Sequence, residues 1–332
     1  MSPASPLNPI AAPAKLLRRD HMALLGVERT ARLGRSLSSR RFRASLDGRR
    51  RGLERHLGEL RGEREATGRG DSFTLEMRDG WARDDSGSLP HLDAVIEEMN
   101  SVIEERGGRR WPFHGKPFLF DILPERAWER YGSILDFATT PEALEPVARH
   151  CGFVPCLSGD TPPGVRLMES TTRFDPQAAG PWRSSQLWHT DYHSFPTVYL
   201  IVAIREIGPE DGALHFVGEA TSRRVAAELG YSRRGSSHRV SDEEFASHVD
   251  PSEWLTFTGQ PGSVLFIDSS SCFHFGSRNP RNPRYQLQYA YISPVRNDFG
   301  DLVRPQATYP LHEHDPLSRR LALDRELAGV PG

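Results

Sequence analysis

The chain of 332 residues carries 42 lysines and arginines against 44 aspartates and glutamates, so its formal net charge is −2. This balance argues against a strongly basic nucleic-acid-binding protein, and a hydrophobic fraction of 37% argues against disorder of the whole chain. The length suggests two domains of ~150 residues each, but an all-β barrel can reach ~250 residues as one domain.

The three cysteines, Cys151, Cys156 and Cys272, are too few and odd in number for a disulfide framework. Sparse cysteine is typical of a reducing compartment, and we therefore expect a cytoplasmic protein. No apolar run approaches the ~20 residues of a membrane span. The first twenty residues also contain no apolar run of signal-peptide length, so we expect no membrane partner.

The N-terminal part of the chain is rich in arginine. Residues 1–15 are mostly proline and alanine, whereas residues 16–65 carry 14 arginines against seven acidic residues, a local charge of +7. Leucines recur at helical spacing in the second segment, which predicts two amphipathic helices with breaks near Ser38–Ser39 and Gly48. We interpret the charge run as a solvated helix face, and contact with nucleic acid or an acidic partner is the alternative.

Loop and helix signals alternate in the next part of the chain. Clusters of Gly, Asp and Ser predict a loop over residues 66–90, and Leu92–Ile103 has its apolar residues on one helical side. Two further helices are predicted at residues 125–136 and 141–150. The second begins with Thr140 as the N-cap and a proline in the first turn, a pattern that stabilises a helix start.

From about residue 164 onward, short apolar runs separated by Gly, Pro and Asp predict β-strands. They are Val165–Glu169, Ser185–Asp191, Val198–Ile204, Ala213–Val217, Trp254–Thr258, Ser263–Asp268 and Tyr285–Ile292. Short strands at this spacing are typical of a sandwich or a barrel. A polar insertion, Thr221–Asp250, interrupts them and is predicted to contain two helices, near Ser222–Leu229 and Asp242–Val249.

The most informative motif pairs a histidine with an aspartate two residues later. Side chains alternate between the faces of a strand, so His189 and Asp191 share a face and can chelate one divalent metal. His274, which follows an apolar strand, is the best third ligand. His193 is the rival, but adjacent same-face residues are ~6.7 Å apart along a strand, too far for three of them to bind one ion. Two histidines and one carboxylate are the ligand set of non-haem Fe(II) oxygenases.

A second group of candidate residues lies on the last predicted strand. Arg284, Gln286 and Gln288 share one of its faces. A buried guanidinium is costly unless an anion pairs with it. A dicarboxylate co-substrate would supply that anion to Arg284 in bidentate geometry.

Four features together match a known family: the His189-x-Asp191 pair, the segment Asp211-Gly212-Ala213-Leu214, then His274 and Arg284. On these features, the segment from about 160 to 295 resembles the 2-oxoglutarate- and Fe(II)-dependent oxygenases, and looks most like the phytanoyl-CoA dioxygenase-like branch. The Pro-Gly-Ser-His sequence that the family places after the Asp-Gly-Ala-Leu segment is replaced here by Val217-Gly218-Glu219-Ala220. The N-terminal 120 residues lie outside the resemblance.

The resemblance implies an α+β protein with a mainly β core. The core would be a double-stranded β-helix, a jelly-roll or cupin-like barrel, flanked by N-terminal helices. We divide the chain into an arginine-rich helical extension (1–70), a single oxygenase domain (71–310) with a helical insertion (221–250), and a C-terminal tail (311–332).

The resemblance also implies a cofactor and a reaction. Fe(II) would be held by His189, Asp191 and His274, and the distal carboxylate of 2-oxoglutarate by Arg284, with Gln286 also in contact with this co-substrate. The enzyme would use O2 to oxidise a C–H bond of a small-molecule substrate, with hydroxylation as the expected outcome, and would release succinate and CO2. Related halogenases have a small residue in place of the carboxylate, so Asp191 argues against halogenation, whereas desaturation, ring closure and epimerisation stay open.

Several other residues receive weaker assignments. Those placed near the site or its mouth are Gln186, Tyr192, His193 and Gln288, with an outward position favoured for His193. His215 is assigned to the core, and His312-Glu313-His314-Asp315 to a solvated tail. Arg233, Arg234 and Arg239 of the insertion are a candidate basic patch for the phosphates of an acyl-CoA.

The substrate is not identified by the sequence. Arginine-rich, lysine-poor usage is typical of a GC-rich genome and favours a role in bacterial secondary metabolism. Two alternatives from other classes stay open. One is a non-catalytic barrel that serves as a binding or scaffold protein, and the other is an oxygenase that acts on protein or nucleic acid and holds it with the +7 segment. The oligomeric state is not indicated.

Overall fold

The computed structural model describes residues 25–68, 75–105, 112–113, 116–159, 163–233, 239–298, 300 and 308–329. The helices are α1 (residues 25–37), α2 (Arg40–Arg51), α3 (Leu53–Ala66), α4 (Leu92–Glu105), α5 (Ser133–Ala138), α6 (Pro141–Cys151), α7 (Glu219–Glu228), α8 (Asp242–Ala246) and α9 (Leu317–Leu323). Within these described ranges, no helix is long and apolar enough to cross a membrane.

The strands form two antiparallel sheets, so the α+β class with a mainly β core is confirmed, and the double-stranded β-helix stays a prediction. The strands are β1 (Trp81–Asp84), β2 (Pro112–Phe113), β3 (Lys116–Asp121), β4 (Cys156–Leu157), β5 (Val165–Ser170), β6 (Thr197–Ala203), β7 (Leu214–Phe216), β8 (Leu255–Phe257), β9 (Val264–Asp268), β10 (His274–Phe275) and β11 (Arg284–Ile292). The larger sheet has the order β1-β9-β6-β11-β5-β3-β2, with β4 also paired to β11, and the smaller has the order β10-β7-β8.

The two faces of the larger sheet pack against different parts of the protein. On one face, Leu167, Leu200 and Leu287 belong to a core that also contains Leu144 and Val147 of α6. The other face packs on the smaller sheet, in a core that contains Tyr199, Ile201, Leu265, Phe216 and Phe257. β6 is covered on both faces, which explains why all seven of its residues are buried and why most of them are apolar.

The predicted helix breaks in the arginine-rich segment are half right. The break at Ser38–Ser39 is confirmed, because α1 ends at residue 37 and the Ser39 hydroxyl accepts a hydrogen bond from the backbone N–H of Phe42 at the start of α2. The break near Gly48 is wrong, since α2 continues to residue 51 and Gly52 follows it. Gly48 instead allows close packing, because a Cβ built there would lie 2.6 Å from the Cβ of Ala328.

Two predictions in the next part of the chain are wrong in part. The loop predicted over 66–90 contains β1, which pairs with β9 through contacts such as Trp81 opposite Ile267. The helix predicted over 125–136 is a short 3₁₀ turn followed by α5. Arg126 has a φ of 56°, a left-handed value that interrupts an α-helix. By contrast, the helix predicted at 141–150 is confirmed as α6, with the Thr140 side chain as its cap.

The C-terminal residues include a helix that is part of the core. Leu321 and Ala322 of α9 have no exposed surface and belong to the core beneath the larger sheet. His312, Glu313 and His314 are exposed, as the interpretation of a solvated segment expects. The division of the chain at residues 70 and 310 stays a prediction.

Arg49 of α2 ties the arginine-rich segment to the C-terminal residues. Its side chain is fully buried, and burial lowers the pKa of its guanidinium. The group donates hydrogen bonds to the carbonyls of Val154, Pro155, Leu321, Asp324 and Leu327. Arg64 of α3 is also buried and pairs with Glu145 at 2.9 Å. At least two arginines of the +7 segment are therefore buried inside the fold and do not lie on a solvated helix face.

We expect Arg49→Met to lower the free energy of unfolding by about 3 kcal/mol, because it leaves several buried carbonyls without a donor. Urea unfolding followed by circular dichroism measures the change. The control is Arg51→Met at the exposed end of the same helix, which should change stability by less than about 0.5 kcal/mol. Equal effects of the two substitutions would contradict the structural role of Arg49.

Candidate metal centre

A cavity of about 120 Å³ lies between the two sheets. Its polar lining residues are Lys116, Arg166, Ser185, His189, Asp191, Tyr199, Ser269, His274, Ser277, Arg284, Gln286 and Gln288. Its apolar lining residues are Leu119, Met168, Ile201, Leu214 and Ile267. The fold therefore brings all five of the residues predicted to bind metal or co-substrate to one cavity.

A backbone bridge holds the two histidines side by side. The N–H of His189 donates to the carbonyl of His274 at 3.1 Å, and the N–H of His274 donates to the carbonyl of His189 at 2.9 Å. Their ring centroids are 4.4 Å apart. The next turn of the chain is held by the N–H of Asp191, which donates to the carbonyl of Ser269 at 2.8 Å. The relative positions of the three side chains are thus fixed by main-chain hydrogen bonds.

The strand predicted over Ser185–Asp191 is wrong, although its consequence for the side chains holds. The segment begins with a 3₁₀ turn, Ser184–Gln186, and continues with isolated bridges at Trp188 and His189. A longer ladder does not form because the partner strand β10 has only two residues. His189 and Asp191 still face the same cavity.

The hydrogen bonds of both imidazoles leave the same nitrogen for a metal. Nδ1 of His189 lies 2.9 Å from the carbonyl of Leu187, and Nδ1 of His274 lies 3.0 Å from the carbonyl of Cys272. A carbonyl only accepts hydrogen bonds, so each Nδ1 carries the proton and donates it. In the neutral form of each ring, Nε2 is then the unprotonated nitrogen that can ligate a metal, and the Nδ1 bond fixes the orientation of the ring.

The three side chains come close enough to share one ion. Nε2 of His274 lies 3.9 Å from Oδ2 of Asp191, and one ligand atom of each of His189, Asp191 and His274 lies within 4.8 Å of the others. Ligands bound at ~2.1 Å from an ion lie at most ~4.2 Å apart, so small side-chain movements bring all three groups onto one ion. Among the described residues, this group has the composition, two imidazoles and one carboxylate, that suits non-haem Fe(II).

The electrostatics of the site favour the protonation states that a metal needs. Burial, with the neighbouring His274, holds the pKa of His189 well below its usual value, so this imidazole is neutral. Burial by itself raises the pKa of Asp191, but His274 and a hydrogen bond from Ser269 oppose it, and the net pKa lies below the usual value. A neutral imidazole and an ionised carboxylate therefore coexist in the cavity, as metal binding requires.

Arg284 and Gln286 also present buried polar atoms to this cavity. Arg284 is 3% exposed, and its Nη2 donates to the Ser277 hydroxyl at 3.1 Å. Among the described residues, its Nε and Nη1 have no hydrogen-bond partner, and neither has Oε1 of Gln286. Burial lowers the pKa of Arg284 to about 10, against the effect of Asp211. A buried guanidinium with two N–H donors that lack a partner in the described part of the chain is suited to bind a carboxylate ligand.

An aromatic cluster that includes one residue of the insertion surrounds Trp188, the residue before His189. Trp188 has no exposed surface, and it stacks on Phe245 of α8 with ring centroids 4.0 Å apart. Trp254 and Phe275 approach the same indole edge-on at 4.9 and 4.6 Å. The two helices predicted for the insertion are confirmed as α7 and α8. The insertion therefore fixes the residue next to His189.

Most of the residues with weaker assignments do not line the cavity. Gln186 is buried, and its amide donates to the carbonyl of Ser277 at 2.9 Å. Nδ1 of His193 lies 2.9 Å from a carboxylate oxygen of Asp298. His215 stacks on Phe275 with ring centroids 4.6 Å apart. Of the weaker candidates, Gln288 alone lines the cavity.

The sequence analysis missed six polar residues of the cavity. Three are serines, Ser185, Ser269 and Ser277, and the other three are Lys116, Arg166 and Tyr199. A signal was present, because Arg166 alternates with Met168 and Ser170 on one face of a short strand whose residues are all buried. In the candidate basic patch, Arg239 is a described residue, whereas Arg234 and the side chain of Arg233 lie outside the described part of the chain.

Comparisons with known proteins find similarity in structure. No known family profile matches the chain, and no curated protein matches it at a significant level. Solved structures that are similar include the non-heme alpha ketoglutarate dependent epimerase SnoN from nogalamycin biosynthesis, with 14% identity, 80% of this chain and 93% of that chain covered, and a TM-score of 0.41.

Two other similar structures come from named organisms. AviO1 from Streptomyces viridochromogenes Tue57 has 17% identity, with 66% of this chain and 92% of that chain covered and a TM-score of 0.37. EctD from S. alaskensis, solved with 2-oxoglutarate and 5-hydroxyectoine, has 14% identity, with 69% and 78% covered and a TM-score of 0.43. The chain is thus similar in structure to proteins that include non-haem, α-ketoglutarate-dependent enzymes, the group that its sequence resembles.

Proposed function

We propose that the protein is a non-haem Fe(II)- and 2-oxoglutarate-dependent oxygenase of the jelly-roll type, in the phytanoyl-CoA dioxygenase-like branch. The observation that carries the proposal is one cavity holding both a His189–Asp191–His274 group and a buried arginine with unpaired donors. Either feature alone has an ordinary structural explanation. Together they provide the two anchors that a metal and a dicarboxylate need.

In this proposal each residue has a defined task. His189, Asp191 and His274 hold Fe(II) and leave positions open on its other side. Arg284 binds the distal carboxylate of 2-oxoglutarate, with the Ser277 hydroxyl beside it. When bound, Fe(II), 2-oxoglutarate and O2 supply the oxidising power. The apolar residues Ile201, Leu214 and Ile267 exclude water from the reacting centre.

The proposed reaction is hydroxylation of a small molecule. One O2 and one 2-oxoglutarate are consumed, one oxygen atom enters the substrate C–H bond as a hydroxyl, and the other enters succinate as CO2 leaves. We propose a role in bacterial secondary metabolism, in line with the arginine-rich composition. Desaturation, ring closure and epimerisation use the same two anchors and differ in the product.

The test is succinate formation from 2-oxoglutarate with a panel of small molecules. We expect succinate only when Fe(II), 2-oxoglutarate and O2 are all present, and a product heavier by one ¹⁸O atom when ¹⁸O2 is supplied. A product without ¹⁸O would favour desaturation, ring closure or epimerisation. Titration calorimetry with Mn(II) and 2-oxoglutarate under nitrogen distinguishes the enzyme from a scaffold protein. The enzyme is expected to bind both ligands, whereas a non-catalytic scaffold is not expected to bind 2-oxoglutarate.

A further inference from the structure

The side chain of Arg278 connects three separate parts of the chain beside the cavity. Its Nε donates to the carbonyl of Gln186 at 2.7 Å, and its two terminal nitrogens donate to the two carboxylate oxygens of Asp242 at 2.7 and 2.8 Å. The centre of the guanidinium also lies 3.3 Å from the ring centroid of Phe275. A bidentate carboxylate pair together with an aromatic contact fixes both the direction and the plane of a guanidinium.

The ion pair between Arg278 and Asp242 is partly shielded from water. The side chain of Arg278 is 13% exposed, and that of Asp242 is 35% exposed. By contrast, the nearby pair between Arg281 and Glu210 is 75% and 71% exposed. Ion pairs contribute less as their exposure to water rises. Since Asp242 is the first residue of α8, the shielded pair joins the insertion to the connection between β10 and β11.

Ser277, the residue before Arg278, has an uncommon backbone conformation. Its φ is 62°, which lies in the left-handed region, where a residue other than glycine is strained. Its N–H donates to the carbonyl of Gly212 at 3.0 Å, and its carbonyl accepts a hydrogen bond from the Gln186 amide at 2.9 Å. A strained conformation persists only where the surrounding contacts hold it. The contacts of Arg278 restrain the chain directly after the strained residue.

The hydroxyl of Ser277 carries this restraint to Arg284. Ser277 is 3% exposed, and its hydroxyl accepts a hydrogen bond from Nη2 of Arg284 at 3.1 Å. In the described part of the chain this is the one hydrogen bond of the Arg284 guanidinium, because its Nε and Nη1 have no partner there. A group that is held by one hydrogen bond takes its direction from that partner. A change of conformation at Ser277 would therefore move the two remaining donors.

We propose that Arg278 is a positioning residue for the co-substrate site and that Asp242 of the insertion holds it in place. The pair keeps Ser277 in its left-handed conformation, and the Ser277 hydroxyl then directs Nε and Nη1 of Arg284 towards the carboxylate of 2-oxoglutarate. This inference rests on the proposed function, because that function assigns 2-oxoglutarate to Arg284. It gives the insertion a role in co-substrate affinity in addition to its packing on Trp188.

The first test compares the affinity for 2-oxoglutarate with the affinity for the metal. Calorimetry under nitrogen measures the binding of Mn(II), and then of 2-oxoglutarate to the Mn(II)-loaded protein. Asp242→Asn removes the charge of the pair at nearly constant size, and we expect about tenfold weaker binding of 2-oxoglutarate with the Mn(II) affinity unchanged. Arg278→Lys should have the same effect, because an ammonium cannot replace the fork of a guanidinium. Asp242→Glu keeps the carboxylate and should retain most of the affinity.

A double-mutant cycle tests whether the pair acts through Ser277. Ser277→Ala removes the hydroxyl and should itself weaken the binding of 2-oxoglutarate about tenfold. If Asp242 acts through this hydroxyl, adding Asp242→Asn to the Ser277→Ala protein should weaken binding by less than about twofold more. Full additivity of the two losses would overturn the proposal, because Asp242 would then act on the co-substrate by another route.

The matched control is Glu210→Gln, which breaks the exposed pair with Arg281 and should change neither affinity. Near-UV circular dichroism verifies the fold of each variant, and Arg278→Lys replaces Asp242→Asn in the cycle if the latter does not fold. Wild-type affinity for 2-oxoglutarate in Asp242→Asn, or equal losses of Mn(II) and 2-oxoglutarate affinity, would overturn the positioning role alone. If the wild-type protein itself does not bind 2-oxoglutarate, the proposed function is overturned and the positioning role with it.

Discussion

His274→Ala should bind Mn(II) at least about 100-fold more weakly than the wild-type protein and should form no succinate. The reason is that removal of a ligand costs more than the 10–100-fold that loss of a supporting hydrogen bond costs. Titration calorimetry under nitrogen measures the metal affinity independently of activity. Asp191→Ala should give the same result, because it removes the only carboxylate of the group.

The chain offers a matched control for this substitution. His215 lies on the adjacent strand, opposite Phe275, and its Nδ1 also bonds a carbonyl two residues earlier in the chain. It does not line the cavity. We therefore expect His215→Ala to retain the metal affinity, and equal losses in His215→Ala and His274→Ala would contradict the assignment of the ligands.

The positions of the proposed co-substrate residues were predictable because one strand alternates regularly. β11 is central in its sheet and buried along its length, so alternation assigns Arg284, Gln286 and Gln288 to one face and the tyrosines and leucine to the other. The structure confirms this division, since the first three line the cavity. A central strand has two partners that hold its register, and pattern and structure agree there.

The convergence of the proposed metal ligands was predictable for a different reason. His189 and Asp191 were assigned to one face of a strand, yet the segment is a turn followed by isolated bridges. The two side chains converge because backbone hydrogen bonds to His274 and Ser269 hold the segment. The two-residue spacing correctly indicated that the two side chains lie close together. It did not indicate the local backbone conformation, because that is determined by tertiary contacts.

Other parts of the molecule could not be predicted from local patterns. The edge strand β1, which contains Arg83 and Asp84, has no apolar alternation, and pairing with β9 determines its structure. Arg166 and Lys116 come from strands far apart from His189 in the chain, so only the sheet order brings them to the cavity. The distribution of charge around the site is therefore a property of the fold.

Arg284→Gln should weaken the binding of 2-oxoglutarate about 100-fold while leaving the affinity for Mn(II) unchanged. The loss of a charged partner from a buried ion pair costs ~3 kcal/mol, which is about 100-fold in affinity. Glutamine can still form hydrogen bonds but carries no charge, so the substitution measures the electrostatic contribution to the free energy of 2-oxoglutarate binding. Calorimetry under nitrogen, first of Mn(II) binding and then of 2-oxoglutarate binding to the Mn(II)-loaded protein, gives the two affinities.

The control for this variant is Arg281→Gln, three residues earlier, because that arginine is exposed and outside the cavity. It should bind 2-oxoglutarate as the wild-type protein does. If Arg284→Gln also retained full affinity, the buried guanidinium would have a purely structural role, and the dicarboxylate would have to bind elsewhere. Arg166 would then be the next candidate, and Arg166→Met would lose 2-oxoglutarate instead.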